Sequence, residues 1–183
     1  ILEAAGETAG IIGTTGIFYG GTRIAPELTT PDPVFLQKTL ADMQKNGVTA
    51  VAMEVSAHAV WYEKIAGIPF AAKIFTNFSQ DHLDFFDNMQ TYKKTKERFF
   101  FPEESGENGA EKDAAKDTKK DTQNALFVIN ADDDLGAKIA AEAKNRGIKT
   151  ITYGLENPSD VFAVITDESA AGSKFLLNLS DEL

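Results

Sequence analysis

Apolar residues in this chain gather in short runs separated by glycine, proline and polar turns. Residues 9–14 (AGIIGT), 48–55, 70–77, 125–130 and 148–153 are apolar without strict alternation, which predicts buried strands. Residues 17–24 (IFYGGTRI) predict a further strand or an exposed hairpin arm, interrupted by paired glycines. Leu36, Leu40 and Met43 follow Asp32-Pro33, a capping residue and a proline suited to the first helical position, and Asn46-Gly47 stops that helix. A helix is predicted from Ser56 to about Ala66, and another from about Asp134 to Gly147 carrying Leu135, Ile139 and Ala143. The opening ILEAAGE reads as the last turns of a helix closing at Gly6.

Alternation of such strands with helices predicts an α/β fold, a mostly parallel sheet flanked by helices. Two later β-rich segments, 161–166 and 174–179, read as antiparallel and peripheral. The expected organisation is one α/β domain over 1–155, with 156–183 a β-rich continuation of it. Within it, 102–124 has no apolar side chain larger than alanine and reads as a solvated insertion. The chain starts at Ile1, not methionine, which predicts a piece of something longer.

One further helix is anomalous. From Asn88 the apolar positions Met89, Tyr92 and Phe99 define one face, and Lys96 falls on it. A lysine facing inward must snorkel, meet a carboxylate, or lose its charge. Two stretches bear on that choice. DHLD places His82 between Asp81 and Asp84, and AVAMEVSAHA delivers Glu54 at the end of an apolar strand. In parallel sheets ligands gather at the carboxyl ends of strands, where Glu54 and Asn77 are expected.

Composition narrows the field. A net charge of −10 opposes a general nucleic-acid or membrane-surface binder, and at 43% hydrophobic the chain can bury a sizeable core. No cysteine is present, hence no disulfide and no thiolate metal site. No apolar run approaches the roughly 18 residues that cross a bilayer.

Each candidate has a plain reading and a chemical one. Glu54 caps the following helix or binds a cation; a strand-end acid suits Mg²⁺, which prefers hard oxygen ligands. His82 pairs with its neighbouring acids, or serves as a metal ligand or phosphate contact. His58 reads as structural. Thr29, Thr30 and Ser56 cap turns, or hold a polar substrate around the same sheet edge. A desolvated Lys96 is partly a free amine, able to take up CO₂ as a carbamate and become an anionic metal ligand. No G-x-x-x-x-G-K-[ST] loop is present to cradle phosphates.

The stretches ILEAAGETAGIIGTTG, LTTPDP, VAMEVSAHA, FTNFSQDHLDFF, MQTYKKTKERFF and VINADDD followed by TYGL together resemble the Mur ligase family. Within it they resemble the branch that adds the third amino acid to UDP-N-acetylmuramoyl-L-alanyl-D-glutamate. LTTPDP combined with MEVSxHA marks that branch. The resemblance implies part of a central ATP-binding domain of P-loop NTPase-like fold, in a cytoplasmic ligase of peptidoglycan synthesis working through an acyl phosphate. The substrates implied are the UDP-muramoyl dipeptide and a diamino acid, diaminopimelate or lysine, with no nucleic-acid or membrane partner. ATP and Mg²⁺ are the implied cofactors, with Glu54 and His82 on the metal and Lys96 carbamylated as catalytic residue and ligand. Thr29, Thr30 and Ser56 would contact the UDP-muramoyl substrate. Lys64 stands where the family usually has arginine, Tyr62 where it has glutamine, and Ala57 where serine is common; Lys64 offers a point charge in place of a fork. The phosphate-binding loop is expected upstream of Ile1, which predicts that the 183 residues alone neither hydrolyse ATP nor ligate amino acids. Glu54, His82 and Lys96 are expected around one cleft, with His58 behind it. The alternatives are a folylpolyglutamate-type ligase, a metal-dependent phosphohydrolase built on Glu54, His82 and Asp84, and a non-catalytic binding module.

Overall fold

The computed structural model describes residues 1–25, 27–80, 85–102 and 124–180. His82, Asp84 and nearly all of the expected insertion lie outside them. The chain divides into two compact units, Ile1–Ile68 and Pro69–Leu183.

In the first unit the predicted terminal helix is a single 3-10 turn, Glu3–Ala5, closed by Gly6 in the left-handed conformation. Strand β1 is Ala9–Gly13. The stretch 17–24 is two strands, β2 (Gly16–Tyr19) and β3 (Thr22–Ile24), turning at Gly20 and Gly21. Both glycines have positive φ, 50° and 79°, as a two-residue hairpin turn requires. Helix α1 (Pro33–Lys45) then crosses over to β4 (Ala50–Met53), which pairs parallel with β1. The sheet order is β3-β2-β1-β4, and only its last pair is parallel. Leu36 and Met43 of α1 are buried against Ile12, Ile17 and Tyr19, with Leu40 partly buried beside them. Strand β4, read from sequence as buried, lies at an edge of this sheet with Val51 exposed.

The helix expected from Ser56 to about Ala66 is shorter: α2 is Ala57–Trp61. Its end has the two bonds of a Schellman motif, Lys64 N–H to Ala59 C=O at 2.9 Å and Glu63 N–H to Val60 C=O at 3.2 Å. The residue that must turn left-handed is Glu63, at φ 53°. Glycine usually takes that position, so the sequence carries no stop signal there.

The second unit is a five-stranded sheet in the order β5-β6-β7-β8-β9. The strands are β5 (Ala72–Phe75), β6 (Leu126–Asn130), β7 (Thr150–Gly154), β8 (Val161–Ser169) and β9 (Gly172–Leu179). The first four are parallel neighbours and β9 returns antiparallel. Helix α3 is Met89–Phe100 and helix α4 is Asp134–Asn145. Phe75, Phe127, Ile129, Leu135, Ile139 and Phe100 share one core. Among the described residues no helix is long and apolar enough to cross a membrane.

Candidate substrate and metal site

The register of the β1–β4 pair builds the first cluster. Ile12 stands beside Met53, and the Glu54 N–H donates to Ile12 C=O at 2.9 Å. The residues that leave the two strands, Gly13-Thr14 and Glu54, therefore emerge together at the carboxyl edge. Thr14 donates twice to Glu54 Oε2, from its N–H at 2.9 Å and its hydroxyl at 2.6 Å. The hydroxyl bond and then the N–H bond hold the Glu54 carboxyl below the usual carboxylate range, against a smaller opposing effect of burial. Oε1 accepts no hydrogen bond among the described residues.

The turn before α1 closes on the same residue. Thr29 Oγ1 lies 3.2 Å from Thr14 Oγ1, and the buried Thr30 hydroxyl donates to the Glu54 carbonyl at 2.8 Å. Thr30 Oγ1 also accepts the Ser56 N–H at 3.0 Å, and Ser56 Oγ accepts the Ala59 N–H at the start of α2. Ser56 caps α2 with its oxygen, and its own proton faces Thr30 Oγ1 across a weak 3.4 Å contact, because the Thr30 proton is on the Glu54 carbonyl. Asp32 precedes α1 without capping it by side chain. Its carboxylate instead takes the Lys64 ammonium at 2.7 Å. Lys64 is the more buried partner, with a side chain 16% exposed against 69% for Asp32. Thr29, Thr30, Glu54, Ser56 and Lys64 thus share one small region of the first unit, reached through Thr14 and Asp32. Thr14 was not selected from sequence, and Asp32 only as the cap of α1. The signal for Thr14 was a hydroxyl directly after a buried strand, in GTTG.

Lys96 belongs to the second unit, on α3. Buried positions there are Tyr92, Thr95 and Phe100, and Lys96 is half-buried at the margin of that face, as its spacing from Tyr92 predicts. Its ammonium lies 5.3 Å from the Tyr92 ring centroid. Tyr92 in turn stacks on Phe86 at 5.2 Å and faces Phe78 at 5.1 Å. Asn88 starts the helix by accepting the Thr91 N–H.

The NADDD stretch organises its surroundings. Asn130 donates from Nδ2 to the Thr76 carbonyl at 2.7 Å, and Asp133 accepts the Phe78 N–H at 2.6 Å while capping α4 through the N–H groups of Leu135 and Gly136. Tyr153 donates to the Phe75 carbonyl at 3.2 Å. These three contacts fix residues 75–78, the segment that leads toward DHLD. Asp132 gathers the N–H groups of Leu155, Glu156 and Asn157, and these bonds, Leu155's foremost, hold its carboxyl below the usual range. The stretch is thus a brace for two loops.

Among the described residues no three His, Cys, Asp or Glu side chains group as a metal cage. The donor set at Glu54 still fits a hard cation: one carboxylate oxygen without a partner among the described residues, hydroxyls on the same carboxylate's other side, and no thiolate. Mg²⁺ usually keeps several waters and takes one or two protein carboxylates, so a single acid is sufficient on the protein side.

Residues 1–182 match the Mur ligase middle domain. The chain belongs to the Mur ligase family. Its UDP-N-acetylmuramoyl-L-alanyl-D-glutamate–2,6-diaminopimelate ligase relatives include one from Pseudomonas putida, 34% identical over 163 residues, covering 86% of this chain and 29% of the relative. Another, from Halalkalibacterium halodurans, is 32% identical over 182 residues, covering 100% of this chain and 34% of the relative. A solved structure of a ligase of the same name superposes with a TM-score of 0.76 at 26% identity, covering 99% of this chain and 33% of that one. The chain spans about a third of the length of these Mur ligases. The expected α/β architecture and the expected Mur resemblance both hold.

Proposed function

We propose that this chain is the middle-domain part of an ATP-dependent ligase that joins a diamino acid to UDP-N-acetylmuramoyl-L-alanyl-D-glutamate in cytoplasmic peptidoglycan synthesis. The relatives' names favour 2,6-diaminopimelate over lysine as that amino acid. The observation that carries the reading is the pairing of Glu54 with the Thr29-Thr30 turn at the carboxyl edge of β1 and β4, in a chain of this family.

ATP, when bound, supplies the phosphoryl group that activates the substrate carboxylate as an acyl phosphate, with Mg²⁺ offsetting the charge. This chain's residues hold and orient. Glu54 would offer Oε1 to the cation; His82 and a carbamylated Lys96 are the further ligands that the family resemblance implies. Ser56, whose proton is held only by the weak 3.4 Å contact with Thr30, can turn it to a substrate oxygen, while Thr30, whose own proton is on the Glu54 carbonyl, accepts. Lys64 turns its charge to a substrate phosphate or carboxylate in exchange for Asp32. The incoming amine attacks the acyl carbon, phosphate leaves, and the amine gives up a proton.

The ring beneath the Lys96 ammonium opposes carbamylation. The Tyr92 ring favours an ammonium, by about 0.5–1 kcal/mol for a site of modest exposure. That is at most about a factor of five, small beside what a doubly charged cation can return to a carbamate.

The test uses a full-length ligase carrying this segment. ADP release is measured with ATP, Mg²⁺, the UDP-muramoyl dipeptide and diaminopimelate. ADP release that needs both substrates and is lost in Glu54→Ala supports the reading. Phosphate release from simple esters without ATP would favour the phosphohydrolase instead.

A further inference from the structure

Thr14 has no assigned role, yet it is the residue on which the Glu54 carboxylate rests. Both of its polar hydrogens go to one oxygen, Oε2. A threonine hydroxyl has a single proton, and at 2.6 Å that proton is committed to the carboxylate. The 3.2 Å contact with Thr29 must then run the other way, with Thr29 donating and Thr14 accepting. The result is a directed chain, Thr29 to Thr14 to Glu54. It ties the carboxylate to the substrate-contacting turn by side chain, just as Thr30 ties the Glu54 main chain to that turn.

Gly13 completes the arrangement. A Cβ placed there would come 2.8 Å from Glu54 Cδ and 3.0 Å from Oε1. A contact that close forces a shift, and the atoms free to give way are those of the Glu54 carboxylate, so a side chain at 13 would move the carboxylate from its place against Thr14. The strand must end in glycine for Glu54 to lie where Thr14 can hold it.

We infer that Thr14 is a positioning residue: it holds Oε2 of Glu54, leaves Oε1 as the oxygen for the cation, and couples that cation to the turn bearing Thr29. This rests on the cation-binding reading of Glu54 given above. The role is that of an outer partner of a metal ligand, whose removal commonly weakens metal affinity by about 10- to 100-fold.

The experiment compares Thr14→Val, which keeps shape and loses the hydroxyl, with Thr14→Ser, which keeps the hydroxyl. Both are made in a full-length ligase carrying this segment. Mn²⁺ binding is followed by EPR in the presence of a non-hydrolysable ATP analogue, and KM and kcat are measured with the UDP-muramoyl dipeptide. Thr14→Val should weaken Mn²⁺ binding by about 10-fold and raise KM for the dipeptide, with Thr14→Ser within about 2-fold of wild type on both. Gly13→Ala, with Thr14 intact, should reproduce the Mn²⁺ loss and provides the same test should Thr14→Val fold poorly. Wild-type Mn²⁺ binding in Thr14→Val and Gly13→Ala, alongside weakened binding in Glu54→Gln, would overturn the role of Thr14 and leave Glu54 as the ligand. Wild-type binding in Glu54→Gln would overturn the reading of Glu54, and the role of Thr14 with it.

Discussion

Glu54 Oε2 receives two hydrogen bonds from Thr14, a residue forty positions earlier, at 2.9 and 2.6 Å. Parallel pairing of β1 and β4 makes this possible, because it brings two strand ends that are remote in sequence to the same edge. Two donors on one oxygen fix the rotamer of an otherwise exposed glutamate before any ligand arrives. Preorganisation of this kind is what a ligand side chain requires if it is to avoid ordering itself on binding.

Lys96 is expected to be essential for activity and nearly dispensable for folding. In a full-length ligase, Lys96→Ala should lose roughly 100-fold or more in kcat, by analogy with loss of a charge-stabilising group. Acetate should restore part of the activity by filling the vacated space with an anion. Lys96→Arg should be as poor as alanine, since guanidinium stays protonated and cannot take up CO₂. Wild-type rate in the arginine variant at low CO₂ would contradict the carbamate role and leave Lys96 as a cation over Tyr92.

Glu63 holds the left-handed position that ends α2. For a residue with a Cβ that conformation costs roughly 1–2 kcal/mol, part of which glycine gives back as greater freedom in the unfolded chain. Glu63→Gly should therefore stabilise the first unit by about 0.5–1 kcal/mol. Urea unfolding of the 183-residue chain measures it, and a loss of stability would show that contacts of the Glu63 side chain outweigh the backbone strain.

Most of the fold was legible in the sequence, and its failures have local causes. The apolar run before Glu54 marked the strand and its acidic end correctly, and the Asp32-Pro33 and Asn46-Gly47 signals placed α1. The end of α2 was not legible because a glutamate does what glycine usually does. The hairpin at Gly20-Gly21 was half legible: the glycines were visible, but their being a turn and not a flaw in one strand depends on pairing with β1. The parallel docking of β8 was missed because its short connection from β7 is held by side chains, with Asp160 accepting from the Thr152 N–H and hydroxyl and Asp132 gathering 155–157. At the candidate site, residue types singled out Glu54, Thr29, Thr30 and Ser56, which the structure places together, while Thr14, and Asp32 as the partner of Lys64, emerge only from the folded geometry. His82 lies outside the described residues, and Lys96 belongs to a different unit from Glu54.

Asp160 predicts an acid-sensitive second unit. The Thr152 N–H, then its hydroxyl, hold the Asp160 carboxyl below the usual range. A folded-state pKa below the unfolded one contributes stability that is fully present above the unfolded value, about 3.9, and is lost as pH falls through the folded value. The stability gap between wild type and Asp160→Asn should thus be constant from neutral pH down to about 5 and shrink below about 4. Denaturant unfolding across that range checks it. A gap that widens toward acid would contradict the assignment.

Lys73 is 6% exposed, with its ammonium 2.7 Å from the Phe99 carbonyl and 5.1 Å from the Phe99 ring centroid. It joins β5 to the last turn of α3, where a cation also suits the helix dipole. Lys73→Met keeps the packed stem and removes the donor, and should cost about 1–3 kcal/mol. Thermal or urea unfolding of the 183-residue chain reads the cost; an unchanged midpoint would mean that the stem alone accounts for the burial.

The central claim is that this segment belongs to a ligase whose cation site is built on Glu54. Mass spectrometry of the reaction of a full-length ligase carrying it, supplied with ATP, Mg²⁺, UDP-N-acetylmuramoyl-L-alanyl-D-glutamate and an equimolar mixture of diaminopimelate and lysine, tests that most directly. The account predicts one dominant product, the diaminopimelate-containing tripeptide nucleotide, formed with stoichiometric ADP and phosphate and absent in a folded Glu54→Ala variant. Equal product from the folded Glu54→Ala variant, or no amide product from wild type under these conditions, would contradict it.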